Sequence, residues 1–238
     1  MSKIIKENKL VISDYNWLPE DLKESWVDKY TDDYIIYDKL HRESWVGKEK
    51  IIQQLNIGQN VYDMFDFIIN NYDNLPPATI FCRSCLFFPK GRVPPLSNGN
   101  FNEEDFKKVC NNTTFTELHD FGPDCHNGHG SKLDVDGFGY LEINNSWYLN
   151  HVKTKYFHNL NDFLYDVYKN PVIPSYIRFA PGVNYLIPKT NILKYSKNFY
   201  EQIRKILSWD IVVGEAHILE RCIYTIFMND WEVNEKYK

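Results

Sequence analysis

The stretch from Val61 to Cys82 constrains this 238-residue chain most. Val61, Met64, Phe65, Ile68 and Ile69 recur at three- and four-residue spacing, the period that keeps apolar side chains on one face of a helix. Asn74-Leu75-Pro76-Pro77 ends that helix, since proline donates no amide hydrogen bond and biases its predecessor away from helical geometry. Ala78-Thr-Ile-Phe-Cys82 follows at once, an apolar run of strand length. Three similar runs precede the helix: Leu10 to Ser13, Tyr34 to Lys39, and Ile51 to Leu55. Asp14 to Pro19 reads as the loop after the first, and Pro19 to Leu22 opens a short helix with acids in its first turn. Strand, loop, helix, strand in this order predicts an α/β fold, a mostly parallel sheet flanked by helices.

The rest of the chain predicts one domain with an interruption. Residues 86–175 are loop-rich, broken by Pro89, Gly91, Pro94, Pro95 and Gly99 and then by the glycines from Gly122 to Gly139. Two helices are expected within it, at 102–109 and 161–168. Order resumes with a strand at 183–187, a helix at 198–207 and a last helix at 215–227, whose apolar face is Ile218, Cys222, Ile223, Ile226 and Phe227. No apolar run approaches the length of a membrane span, and the start lacks the apolar core of a signal peptide, which points to a cytoplasmic protein. The formal charge of −5 argues against general nucleic-acid binding, which favours a basic excess. Aromatic residues reach 16%, an unusual content; most are expected to pack the core, and some are candidates to line a site for flat ligands.

Cys82-Arg-Ser-Cys85 is a CxxC pair. Together with Cys110, Cys125, His126 and His129 it offers a Cys/His zinc set, although Cys110 and Cys125 do not form a second knuckle. Burial of Cys82 at the end of an apolar run is the plainer alternative.

Several segments resemble a large family of uncharacterised domains. These are Tyr37-Asp38-Lys39, then Leu55-Asn-Ile-Gly-Gln-Asn-Val-Tyr62, then Phe67-Ile-Ile-Asn-Asn-Tyr-Asp-Asn-Leu-Pro76 with Thr79-Ile-Phe81. The carboxyl end carries the resemblance too, in Ala180-Pro-Gly-Val-Asn-Tyr-Leu-Ile-Pro-Lys189, Phe199-Tyr200-Glu201 and Glu220-Arg221. That family looks like the GT-A glycosyltransferases. The resemblance implies a Rossmann-like nucleotide-binding half (about 8–85), a loop-rich insertion (about 86–177) and an acceptor and catalytic half (about 178–232). It implies a nucleotide-sugar donor, a hydroxyl acceptor on a glycan or glycoconjugate, and a Mn²⁺ or Mg²⁺ ion. The chain departs from that pattern where the strand at 79–82 runs into Arg83 and Ser84 in place of an Asp-x-Asp.

Glycosyl transfer needs positive charge for the leaving diphosphate and a base for the acceptor hydroxyl. Nucleotides bind beyond the carboxyl ends of parallel strands. This rule selects Asp14, Asp38, Lys39, Asn56, Gly58, Arg83 and Ser84 as nucleotide-sugar ligands: the acids for ribose or base, Lys39 and Arg83 for phosphate. Turn or capping acids and solvated cations are the plain alternatives. Asp134-Val-Asp136 presents two carboxylates at alternate positions and is the candidate metal pair. Glu215, Glu220 and Arg221 are the candidate catalytic group, with His217 on the same helical side. Trp147, Tyr148 and Tyr185 are candidates to stack on a sugar or base. Two rival readings remain: a non-catalytic carbohydrate- or partner-binding module on the same fold, and a protein organised by zinc at the central Cys/His stretch.

Overall fold

The computed structural model describes residues 2–87, 101–119, 130–132, 138–144, 149–150 and 152–238. Nine strands occur among them: β1 (Lys9–Asp14), β2 (Tyr34–Asp38), β3 (Ile51–Gln53), β4 (Ala78–Arg83), β5 (Thr116–Glu117), β6 (Gly130–Lys132), β7 (Tyr140–Ile143), β8 (Tyr176–Phe179) and β9 (Tyr185–Pro188). The α-helices are α1 (Trp26–Tyr30), α2 (Gln59–Asn71), α3 (Glu103–Val109), α4 (Leu160–Val167), α5 (Lys189–Ile192), α6 (Lys197–Ile206) and α7 (Gly214–Met228).

Six strands form the main sheet in the order β3-β2-β1-β4-β9-β5. The first four are parallel, as the strand–helix–strand pattern predicts. β9 runs antiparallel to β4, and β5 antiparallel to β9. A second, antiparallel sheet has the order β6-β7-β8. The fold is therefore mixed α/β with a mostly parallel sheet flanked by helices.

Period-two alternation divides the buried side chains between the two faces of the main sheet. Val11, Tyr37, Phe81, Tyr185 and Ile187 join a core with α2, α4, α6 and α7. Leu10, Ile12, Ile36, Ile80, Cys82 and Leu186 face a second core with Tyr30 of α1, Trp45 and Phe106 of α3. A sheet covered on both faces explains why its strands read as continuous apolar runs.

Local chemistry sets the helix starts. The Ser196 hydroxyl accepts from the Phe199 amide to open α6, and the Asn159 and Asn102 side chains cap α4 and α3. The short helix expected to begin at Pro19 instead starts after Asp21, whose carboxylate caps the 3-10 turn Leu22–Glu24, with α1 following. The strand expected over 51–55 stops at Gln53, and Leu55 is exposed. The strand expected from Val183 starts at Tyr185, because Gly182 and Val183 both take the left-handed conformation, at φ +82 and +59. For a β-branched residue such as Val183 that conformation costs on the order of 1–3 kcal/mol. No helix among the described residues is long and apolar enough to cross a membrane.

Candidate functional site

From β1 the chain builds the sheet outward through β2 and β3. It then crosses back through α2 to lay β4 on the other side of β1. Strand order thus reverses between β1 and β4, and open α/β sheets bind ligands beyond the carboxyl ends of their strands at such a point. A cavity of about 250 Å³ lies there, lined by Tyr15, Asn56, Gln59, Asn60, Arg83, Gly182, His217 and Glu220. Tyr15 follows β1 and Arg83 ends β4. Asn56 lies in the loop before α2, and Gln59 and Asn60 open that helix. Gly182 comes from the β8–β9 loop, and His217 and Glu220 from α7.

A run of short hydrogen bonds holds these elements together. The Tyr15 hydroxyl donates to Asn60 Oδ1 at 2.5 Å, and Asn60 Nδ2 donates to the Gly182 carbonyl at 2.6 Å. The Gly182 amide then donates to Glu220 Oε1 at 2.6 Å. Arg221 approaches the other oxygen of Glu220 at 3.4 Å and pairs with Glu142 of the second sheet at 3.2 Å. The strained Gly182–Val183 corner is thus gripped from α2 and from α7.

Arg83 is the cation of the cavity. Its guanidinium carbon lies 5.1 Å from the Tyr15 ring centre, and its backbone amide donates to Asn184 Oδ1 at 3.0 Å. Its Nε is buried with no protein hydrogen-bond partner, and so is Asn56 Oδ1. A buried polar atom without a partner costs on the order of 1–3 kcal/mol, which a bound acceptor at Arg83 would recover. Burial lowers the pKa of His217, with the Glu220 charge opposing and Arg221 adding to the fall. At neutral pH His217 is therefore the neutral imidazole, able to accept a proton. Burial and the Asp63 charge raise the pKa of Tyr15, so its phenol stays a donor.

Of the predicted site residues, Asn56, Arg83 and Glu220 reach this cavity. Gly58 stands beside it as the left-handed N-cap of α2 at φ +58. A Cβ there would lie 2.8 Å from Leu207 Cβ, so its smallness serves packing against the end of α6. Ser84 is fully buried; its carbonyl accepts from Trp26 Nε1 at 2.9 Å and its hydroxyl has no partner.

The other predicted ligands are engaged elsewhere. Asp14 is buried, accepts from the Trp17 and Leu18 amides at 3.0 and 3.2 Å, and pairs with Arg42. Asp38, its register partner on β2, accepts from the Arg42 amide at 2.7 Å and Arg42 Nε at 3.2 Å. The two acids share one arginine and staple loops. Lys39 pairs with Asp63 of α2 at 2.5 Å, both side chains 1% exposed. Glu215 is fully buried; Oε1 accepts from the Lys155 and Tyr156 amides at 2.6 and 2.7 Å, and Oε2 from Trp209 Nε1 at 3.1 Å. Full burial with three donors leaves it no access to a substrate. Arg221 is buried between Glu142 and Glu220, 4.8 Å over the Phe179 ring. Tyr185 is a core residue whose hydroxyl accepts from the Ala180 amide at 2.5 Å.

Asp134, Asp136, Trp147, Tyr148, Cys125, His126 and His129 lie outside the described residues. Cys82, Cys85, Cys110 and Cys222 are buried free thiols, and burial pushes the Cys110 thiol up to about 11. No three metal-ligating side chains converge among the described residues. The cavity offers a divalent ion one carboxylate, Glu220, already bonded to Gly182 and Arg221, one imidazole and the amide oxygen of Asn56. Among the described residues it therefore holds one carboxylate, already paired, where a hard cation favours several oxygen ligands, and the predicted pair Asp134 and Asp136 lies outside them.

Sequence reasoning missed Tyr15, Gln59, Asn60 and Gly182 as cavity residues. Tyr15 was recoverable, since it alternates with Asp14 at the end of β1 and must turn to the opposite side. Asn60 was signalled by its place in the first turn of α2, but its bond to Gly182 spans 122 residues and leaves no local trace. No family model, curated protein or solved structure matches this chain, so its site is defined by its own geometry.

Proposed function

We propose that the crevice between β1 and β4 holds the sugar–phosphate end of a nucleotide sugar, and that the chain is a GT-A-like glycosyltransferase acting on a hydroxyl acceptor. The observation that carries this reading is one cavity lined by both Arg83, whose Nε has no protein partner, and His217, whose pKa burial lowers. A cation for the leaving diphosphate and a proton acceptor for the attacking hydroxyl are the two groups transfer requires. The amino end of α2 beside Arg83 adds the field of a helix dipole that favours phosphate. A volume of about 250 Å³ falls below the roughly 300–1,000 Å³ typical of pockets that enclose whole ligands, which suits the reacting end of the donor.

In this reading the bond between the anomeric carbon and the diphosphate oxygen breaks, and its electrons leave with the diphosphate beside Arg83. The acceptor oxygen bonds the anomeric carbon and its proton passes to His217. Glu220 is the weaker candidate for that proton, because both its oxygens already accept hydrogen bonds.

Thermal denaturation with UDP, GDP and their hexose conjugates tests the reading. A ligand at one hundred times its Kd adds about 2.7 kcal/mol of stability. Arg83→Ala should abolish that gain, whereas His217→Gln should retain it and lose donor hydrolysis. Absence of stabilisation by every nucleotide refutes the reading, and binding without turnover by the wild type reduces the chain to a binding module.

A further inference from the structure

A second cavity, of about 400 Å³, lies apart from the crevice residues, and α7 has a hand in building it. Its lining includes Tyr156, Phe157, Asp166, Gln202, Lys205 and Tyr237. Glu215, in the first turn of α7, holds the backbone of Lys155 and Tyr156 through the two amide bonds described above. The buried carboxylate thus fixes the aromatic pair Tyr156-Phe157 as one wall. Phe157 is 5% exposed and Tyr237 4%, but Tyr156 presents 48% of its surface to solvent. Gln202 and Lys205 stand three residues apart on α6 and form the polar side.

The hydrogen-bond accounts of these groups differ. Asp166 accepts from Lys236 at 2.5 Å and from the Tyr237 hydroxyl at 2.6 Å, so those three are mutually satisfied. Gln202 spends its amide on Asn198 at 3.1 Å, leaving its carbonyl to accept. Lys205 is exposed, and its ammonium forms no ion pair among the described residues. The Lys155 ammonium stands 5.2 Å from the Tyr156 ring centre and adds positive charge nearby. What remains to be met is the ring face not covered by Lys155, an acceptor for hydroxyl groups and two ammoniums, Lys205 in the lining and Lys155 nearby, that form no ion pair among the described residues.

We infer that this second cavity is a binding site for an acidic saccharide. A pyranose lies along the exposed Tyr156 ring, its hydroxyls donate to Gln202, and its carboxylate pairs with Lys205. The site stands independently of transfer chemistry in the crevice, since it shares no lining residue with it.

The test is calorimetric titration of the full chain with trigalacturonate, chitotriose and UMP. Trigalacturonate should bind, with affinity falling at least tenfold in Tyr156→Ala and at least fivefold in Lys205→Gln and in raised salt. Chitotriose should bind at least fivefold more weakly than trigalacturonate. Both substituted residues are exposed, so their unfolding temperatures should stay near that of the wild type. His217→Gln should leave trigalacturonate affinity unchanged, which separates this site from the crevice. The inference is overturned if trigalacturonate shows no binding at about 10 mM, if Tyr156→Ala binds it as the wild type does, if chitotriose binds equally well, or if UMP displaces it.

Discussion

Replacing Lys39 by methionine should unfold the protein far more readily without touching the crevice. Lys39 and Asp63 form a buried pair, each side chain 1% exposed, and Ser13 Oγ donates to the second Asp63 oxygen at 2.6 Å. Methionine keeps most of the length of the side chain and removes the charge, leaving a buried carboxylate with one hydroxyl partner. Breaking one side of such a pair costs about 3–5 kcal/mol. For a chain of this length that is a fall of roughly 6–20 °C in Tm at pH 8. Burial already pushes the Asp63 carboxyl up to about 6 against the pull of Lys39, and losing Lys39 pushes it higher still. A carboxyl whose folded pKa exceeds its unfolded value near 4 favours the folded state while protonated, and that advantage is lost as pH rises through the folded pKa. The deficit of Lys39→Met against wild type should therefore be largest at pH 8 and shrink by pH 5. Adding Asp63→Asn should recover most of it. Urea denaturation at the two pH values reads all three proteins. A deficit below about 1 kcal/mol at pH 8, or one that ignores pH, would refute the reasoning and return Lys39 to the list of ligand groups.

Two further perturbations follow from the same arithmetic. Burial raises the Glu117 carboxyl to about 7 although Arg178 Nε donates to it at 2.7 Å, so stability should fall as pH rises from about 4.5 to 7. Glu117→Gln should flatten that slope, worth on the order of 3 kcal/mol at most, in denaturation curves taken across the window. Gly58→Ala should cost about 2 kcal/mol by chemical denaturation, because it combines a left-handed backbone with a Cβ 2.8 Å from Leu207 Cβ.

The parallel half of the fold was legible because its signals are local. The period change at Val61 and the proline stop after Leu75 mark α2 and β4 without reference to anything distant. β5 and β8 were not legible, being two and four residues long with partners far along the chain. The site divides in the same way. Residues at strand ends were found by one rule, but that rule tells neither how far a strand lies from the switch point nor which way a side chain turns, so Asp14 at the end of β1 is spent on Arg42 while the next residue, Tyr15, lines the cavity. Arg83 ends β4, next to the reversal, and reaches the cavity. Asp38 and Lys39 end β2, one strand further out, where Arg42 and Asp63 claim them. Glu215 and Glu220 sit on one helix, and only tertiary packing decides that the first faces a loop and the second the cavity.

The strand that completes the middle of the main sheet arrives late. Ala78 of β4 pairs with Pro188 of β9, about 110 residues further on. During synthesis at roughly 5–20 residues per second, β4 emerges several seconds before its neighbour. For that interval β4 is a sheet edge with unpaired amides and carbonyls and an apolar face, the kind of template on which nascent chains associate. The corner at Gly182 and Val183, just ahead of β9, belongs to the same late event, so the crevice closes only when the edge does. Yield on expression should thus depend on what shields β4 in those seconds, and slower translation of the intervening segment would lengthen the exposure.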